Sequence, residues 1–280
     1  MPTLRNAFAC FGGVVEFYTH MSLEIGADMR FAIFLPPQAK TRSLPVVYYL
    51  AGLTCSEETF MIKAGALRFA ADLGLILVAP DTSPRGLGIL GEDDAWDFGT
   101  GAGFYVDATE EPWRRNYRMY SYVVSELPAL VESVFPARRD RRGIFGHSMG
   151  GHGALVIALK NPDRYQSVSA FAPIANPVAV PWGEKAFSNY LGANRTNWSG
   201  WDASLLMRTQ PYDGEILVDQ GMSDQFLQEQ LHPDALLQAA AGSGQLLKLR
   251  KHPDYDHSYW FIQSFIADHL EWHADRLLIP

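Results

Sequence analysis

Apolar positions along the chain follow two regimes. Residues 10–20 and 29–35 read as antiparallel strands, the second stopped by Pro36-Pro37, which cannot continue a hydrogen-bonded ladder. From residue 44 the pattern changes to short continuous apolar runs at 44–51, 75–80, 142–145, 167–171, 215–219 and 246–250. Each run ends in a polar or Gly-containing turn, and most are followed by a stretch of helical period. Helices are predicted over 58–73, 151–160 and 258–276, the last with Trp260, Phe261, Phe265, Ile266 and Leu270 on an apolar face. Continuous strands separated by helices predict a mostly parallel central sheet covered on both faces. Two segments break the rhythm: 81–118, rich in Gly, Trp, Asp and Tyr, and 176–210, rich in Pro, Trp and Asn. Loops this long in a compact domain act as lids or cover hydrophobic edges, and both roles are open here.

No repeat, low-complexity tract or flexible linker divides the sequence, so residues 1–280 are expected to form one domain. With 48% hydrophobic and 19% charged residues the chain can bury a sizeable core, which excludes disorder. Lys and Arg number 23 against 31 Asp and Glu, and the resulting net charge of −8 argues against a nucleic-acid or anionic-membrane partner. No apolar run approaches the roughly 18 residues of a membrane span, and Ala7-Phe8-Ala9 lacks the preceding apolar region of an export signal. Cys10 and Cys55 are too few for a disulfide framework and form no CxxC pair. A soluble protein of the reducing cytoplasm is expected.

Chemistry concentrates at Gly146-His147-Ser148-Met149-Gly150, a G-x-S-x-G between a predicted strand and a predicted helix. That setting is the one a nucleophile elbow requires: a sharp turn that presents the serine hydroxyl, with glycines where a Cβ would collide. Serine needs a histidine to take its proton and a carboxylate to orient the imidazole. In the order of such enzymes the acid and then the histidine follow, each on a loop after a strand. Asp224, beyond the 215–219 strand, and His257, beyond the 246–250 strand, occupy those places. His252 rivals His257 but lies at the strand end beside Pro253, and Asp219 rivals Asp224 but lies inside its strand. His269 and His273 ride on the last helix as surface or satisfied residues. The oxyanion needs two backbone N–H donors, assigned to Met149 and, in the Gly52 turn, to Leu53. No metal site is expected: His147 and His152 are spaced five apart, and no H-E-x-x-H occurs. Gly99-Thr100-Gly101-Ala102-Gly103 does not complete a phosphate loop, so no nucleotide cofactor is expected.

Leu50-Ala51-Gly52-Leu53-Thr54-Cys55, Pro80-Asp81-Thr82-Ser83-Pro84-Arg85-Gly86, WDFGTGAGFYVDAT, GHSMGGHGAL, PIANP with PWGEKAF, and DYDHSYWF together resemble the S-formylglutathione hydrolase (esterase D) family over nearly the whole chain. The resemblance implies an α/β-hydrolase fold with long lid-like loops and a cytoplasmic, often dimeric enzyme without cofactor. Its substrate would be a glutathione thioester, hydrolysed in formaldehyde detoxification. It also implies Ser148, Asp224 and His257 as triad, with Leu53 and Met149 as oxyanion donors. Glutathione carries two carboxylates, for which Lys63, Arg85 and Lys185 are the candidate cations. Cys55 is expected near the site, and Trp96, Phe104, Tyr105, Trp182 and Phe187 are available to wall the acyl pocket. A short-chain carboxylesterase or an acyltransferase on the same scaffold is the alternative; a binding module without catalysis is disfavoured by the intact triad.

Overall fold

The computed structural model describes residues 1–278. Three antiparallel strands come first: β1 (Thr3–Cys10), β2 (Gly13–Ser22) and β3 (Ala27–Leu35). Then follow β4 (Leu44–Leu50), β5 (Ile76–Pro80), β6 (Ala137–His147), β7 (Ser167–Phe171), β8 (Ile216–Gly221) and β9 (Leu247–His252). They join in one sheet of order β1-β2-β3-β5-β4-β6-β7-β8-β9, in which the pairs from β5 through β9 are parallel. Every residue of β4, β5, β7 and β8 is buried, as expected of strands covered on both faces.

The helices are α1 (Glu57–Lys63), α2 (Leu67–Leu73), α3 (Met119–Ser121), α4 (Leu127–Val134), α5 (Met149–Lys160), α6 (Pro181–Tyr190), α7 (Ala203–Thr209), α8 (Asp234–Ser243) and α9 (Tyr259–Leu277). α5 packs on β4, β6 and β7 with all residues from Met149 to Leu159 buried, and α9 packs on β6, β7 and β8. No helix among the described residues is long and apolar enough to cross a membrane.

The strand order places the site. From β4 the chain passes to β5 on one side and then to β6 on the other, so the loops leaving β4 and β6 diverge at one end of the sheet and open a crevice there.

Four elements differ from the sequence pattern. The run at 10–20 is a hairpin, not one strand: Cys10 pairs with Gly13 across Phe11 (φ 46°) and Gly12 (φ 75°), both left-handed as in the two-residue turns that match strand twist. The helix over 58–73 is two helices broken at Gly65, whose φ of 67° no helix continues. Trp260 is 75% exposed rather than on the buried face of α9, while His269 and His273 are fully buried. The segment 176–210 is largely helical, with Trp182, Ala186, Phe187 and Tyr190 packed inward, so it is a fixed cover rather than an open loop.

Candidate active site

Ser148 joins β6 to α5 with φ 57° and ψ −120°, a conformation costing a non-glycine residue about 1–3 kcal/mol. The surroundings impose it. Its N–H donates to Phe171 O of β7 (3.0 Å), and its carbonyl accepts from His152 N (3.0 Å) and Ile174 N (3.3 Å). A Cβ on Gly146 would lie 2.2 Å from Gly150 O, and one on Gly150 would lie 1.9 Å from Leu50 O, so both motif glycines are sterically required. Ser148 opens into a cavity of about 240 Å³, shared with Gly52, Leu53, Thr54, Cys55, Trp96, His147, Trp182, Phe226, His257 and Tyr259.

Asp224 and His257 meet at that cavity. Asp224 Oδ2 lies 2.5 Å from His257 Nδ1, which leaves Nε2 of the ring for the serine. The carboxylate is held in turn by Phe226 N on Oδ1 (2.8 Å) and by Gln220 Nε2 on Oδ2 (3.4 Å). Ser148 Oγ and His257 make no direct hydrogen bond among the described residues; such bonds are often long in ligand-free sites and tighten when substrate binds. The rival residues are engaged elsewhere. Asp219, fully buried, accepts from Arg250 Nε (2.6 Å) and Nη2 (2.5 Å), with His252 Nε2 and His269 Nε2 each 3.3 Å away. His252 packs tilted against Phe265 with ring centroids 3.8 Å apart.

Two N–H groups suit an oxyanion. Met149 N stands at the first position of α5, where no intrahelical acceptor exists and the helix dipole favours negative charge. Leu53 occupies the second position of a turn closed by Cys55 N donating to Gly52 O (3.3 Å), and its own N–H is not used by that turn. Gly52 brings the two segments together: a Cβ there would sit 3.1 Å from Ser148 Cβ.

The cavity walls are aromatic. Trp96 packs edge-on to Trp182 (centroids 5.7 Å), Trp182 against Phe226 (4.7 Å), and Phe226 edge-on to His257 (5.1 Å). Phe104, Tyr105 and Phe187 are core residues and do not line it. His147, Phe226 and Tyr259 were not singled out in the sequence as wall residues. The available signal was adjacency, because His147 precedes Ser148, Phe226 is two beyond Asp224 and Tyr259 two beyond His257. The His147 ring lies 4.4 Å from that of His257, and burial holds its pKa well below the usual imidazole value, so it stays uncharged. Burial likewise pushes the Cys55 thiol up.

The expected cations are not in the cavity lining. Arg85 is spent on Asp81, with Nε to Oδ2 at 2.7 Å and Nη2 to Oδ1 at 2.8 Å. Lys185 is paired with Asp97. Lys63 is exposed in the last turn of α1, near enough to act on the Cys55 thiol through its charge. No group of three or more His, Cys, Asp or Glu among the described residues is placed to hold a metal ion.

Comparison with known proteins adds identity to this geometry. The Esterase family model matches residues 22–272. The chain is similar to the S-formylglutathione hydrolase of Mus musculus, 54% identical over 272 residues and 96% of each chain, and to that of Paracoccus denitrificans, 54% identical over 267 residues and 95% of each. A solved S-formylglutathione hydrolase from Agrobacterium tumefaciens superposes with a TM-score of 0.94 at 48% identity, covering 98% of this chain and 99% of that one.

Proposed function

The chain belongs to the S-formylglutathione hydrolase (esterase D) family of α/β-hydrolases and hydrolyses that thioester to glutathione and formate; we propose that Ser148, His257 and Asp224 carry the reaction. The observation that supports this most is the Asp224–His257 bond in the cavity that Ser148 opens into. Ser148 Oγ attacks the thioester carbonyl as His257 Nε2 takes its proton, and Asp224 keeps the imidazole in the tautomer with N–H on Nδ1. Leu53 and Met149 N–H groups stabilise the oxyanion. The C–S bond breaks and the glutathione thiolate leaves with the proton from His257. Water, deprotonated by His257, then attacks formyl-Ser148 and releases formate.

The aromatic wall suits a small acyl group. A formyl group presents only hydrogen beyond its carbonyl, whereas an acyl chain that lengthens toward Trp96, Trp182 and Phe226 meets the wall they form. Overpacking of this kind costs about 1–3 kcal/mol, or about 10- to 200-fold in kcat/KM. Because the cavity lining holds no lysine or arginine, the glutathione carboxylates lie outside it, where Lys63 is the one of the three candidate cations with no ion pair among the described residues. Short aryl esters are accepted as side substrates.

The cellular role we assign is formaldehyde detoxification in the cytoplasm, in keeping with two free cysteines. One domain over residues 1–280 is supported by the sheet running unbroken from β1 to β9. A homodimer is supported by β1, which is exposed almost throughout and displays Leu4 and Phe8, with Phe11, Met21 and Leu23 exposed beside it. The test is a rate comparison on S-formylglutathione, S-acetylglutathione and aryl esters of increasing chain length, with Ser148→Ala, Asp224→Asn and His257→Ala alongside. Formyl should exceed acetyl by at least about tenfold. Each variant should lose about 10³- to 10⁶-fold in turnover, Asp224→Asn least. A long-chain optimum would favour a general esterase, faster transfer to an added alcohol than to water a transferase, and near-normal activity in a variant would remove that residue from the mechanism.

A further inference from the structure

The turn that carries Leu53 is held from outside. Thr54, its third residue, has φ 67°, a left-handed conformation that threonine adopts at a cost and keeps only where its surroundings over-determine it. Three neighbouring segments do so. Tyr105 OH donates to Ala51 O (2.9 Å) on the entering side, and Thr54 N donates to Gly101 O (3.0 Å) at the tip. On the leaving side Cys55 O accepts two bonds, from Thr82 Oγ1 (2.6 Å) and Arg85 Nη2 (2.8 Å).

Those two donors are themselves fixed by one carboxylate. Asp81 is buried beyond the end of β5, and it receives Arg85 through both Nε and Nη2 and Thr82 N at 2.7 Å. Ser83 Oγ of the same segment accepts from Gly101 N (2.8 Å), tying the holder at the tip of the turn to this one. The guanidinium expected to meet substrate is thus aimed at a backbone carbonyl two residues beyond the proposed oxyanion donor.

We propose that Asp81, Thr82 and Arg85 form a clamp on the Cys55 carbonyl that positions the Leu53 N–H for the oxyanion, making Arg85 and Thr82 positioning residues of the hydrolysis rather than substrate-binding ones. The proposal rests on Leu53 being an oxyanion donor. A donor contributes to rate only if it stands ready where charge develops, and misplacement by about 1 Å can cost about 100-fold. Losing the clamp lets the strained turn relax, so the defect falls on the transition state and leaves ground-state binding alone.

The test compares Arg85→Gln, Thr82→Val and Thr82→Ser by kcat and KM on S-formylglutathione, thermal midpoint, and affinity for a boronic acid that forms a tetrahedral adduct on Ser148. Arg85→Gln and Thr82→Val should lose about 10- to 100-fold in kcat with KM within about twofold, and adduct affinity should fall in parallel. Thr82→Ser, which keeps the donor, should restore activity. A lowered thermal midpoint with unchanged kcat overturns the proposal, as does Thr82→Val with full activity; if Arg85→Gln fails to fold, Thr82→Val decides. Leu53→Pro separates the premise from the clamp, since proline suits the second position of such a turn while deleting the N–H. It should lose about 10²- to 10³-fold in kcat. A fully active Leu53→Pro refutes the donor itself, whereas an impaired Leu53→Pro with intact clamp variants refutes the clamp alone.

Discussion

His152 makes the stability of the catalytic elbow depend on pH in a way that can be measured. It lies in the first turn of α5, fully buried, with Nε2 3.1 Å from Phe104 O; that bond requires the N–H on Nε2 and leaves Nδ1 without a partner. Burial is the largest cause of a pKa brought down from 6.5 to about 4. The folded-state pKa lies below the unfolded one, so the unfolded chain takes up the proton first. Stability is therefore intact above about pH 6.5 and falls as pH drops below it, levelling out below about pH 4. At about 1.36 kcal/mol per pKa unit, this one residue removes about 2.5 kcal/mol between pH 7.5 and pH 4.5. His152→Gln keeps an N–H for Phe104 O and cannot titrate, so its unfolding free energy should fall by about 2.5 kcal/mol less over the same interval. Urea unfolding followed by tryptophan fluorescence at the two pH values gives both numbers. Parallel pH profiles for the variant and the parent would refute the reasoning. His147, His269 and His273 are shifted the same way by burial, so acid inactivation of the parent enzyme contains unfolding.

A bulky thiol reagent on Cys55 should block the cavity and abolish activity, while Cys55→Ala stays active and resists. Because burial raises the thiol's pKa, inactivation should be slow near neutrality and quicken as the pH is made alkaline; full activity after stoichiometric labelling would end the idea. Trp182→Ala removes the middle of the aromatic wall and should raise acetyl relative to formyl turnover by about tenfold or more, at a stability cost of about 3–5 kcal/mol read from denaturant unfolding. Unchanged acyl selectivity would show that Trp182 does not bound the acyl group.

The parallel half of the sheet was legible because burial on both faces leaves no choice of residue. β7 coincides with its apolar run, Ser167–Phe171, and β4, β5 and β8 lie within a residue or two of theirs; β9, which has no fully buried residue, shows instead through Leu247 and Leu249 alternating with Lys248 and Arg250. Where polar residues do not alternate with apolar ones the pattern is silent. β6 begins at Ala137, five residues before its apolar run, through Arg138, Arg139, Asp140 and Arg141, a stretch in which Arg138 pairs with Asp140. β1 was missed because it is exposed along nearly all its length and no core imprints an alternation on it. The hairpin after it was missed because Phe11 holds a left-handed position that sequence usually announces with Asn, Asp or Gly.

The candidate site shows the same division at the level of side chains. Ser148, Asp224 and His257 were legible because each sits on the loop that immediately leaves a strand, so strand order alone carries it to the crevice beside β4. Charge counting treats Arg85 and Lys185 as free cations, while folding pairs them with Asp81 and Asp97. In a chain with eight more acids than bases, a cation beside the site is more readily claimed by the protein than by an anionic ligand. A contact between the glutathione carboxylates and an exposed group such as Lys63, the role proposed for it, is screened by salt over about 10 Å. KM for the thioester should accordingly rise with ionic strength while kcat, set inside the aromatic cavity, stays level, and a salt-independent KM would mean that the carboxylates are held by neutral hydrogen-bond donors instead.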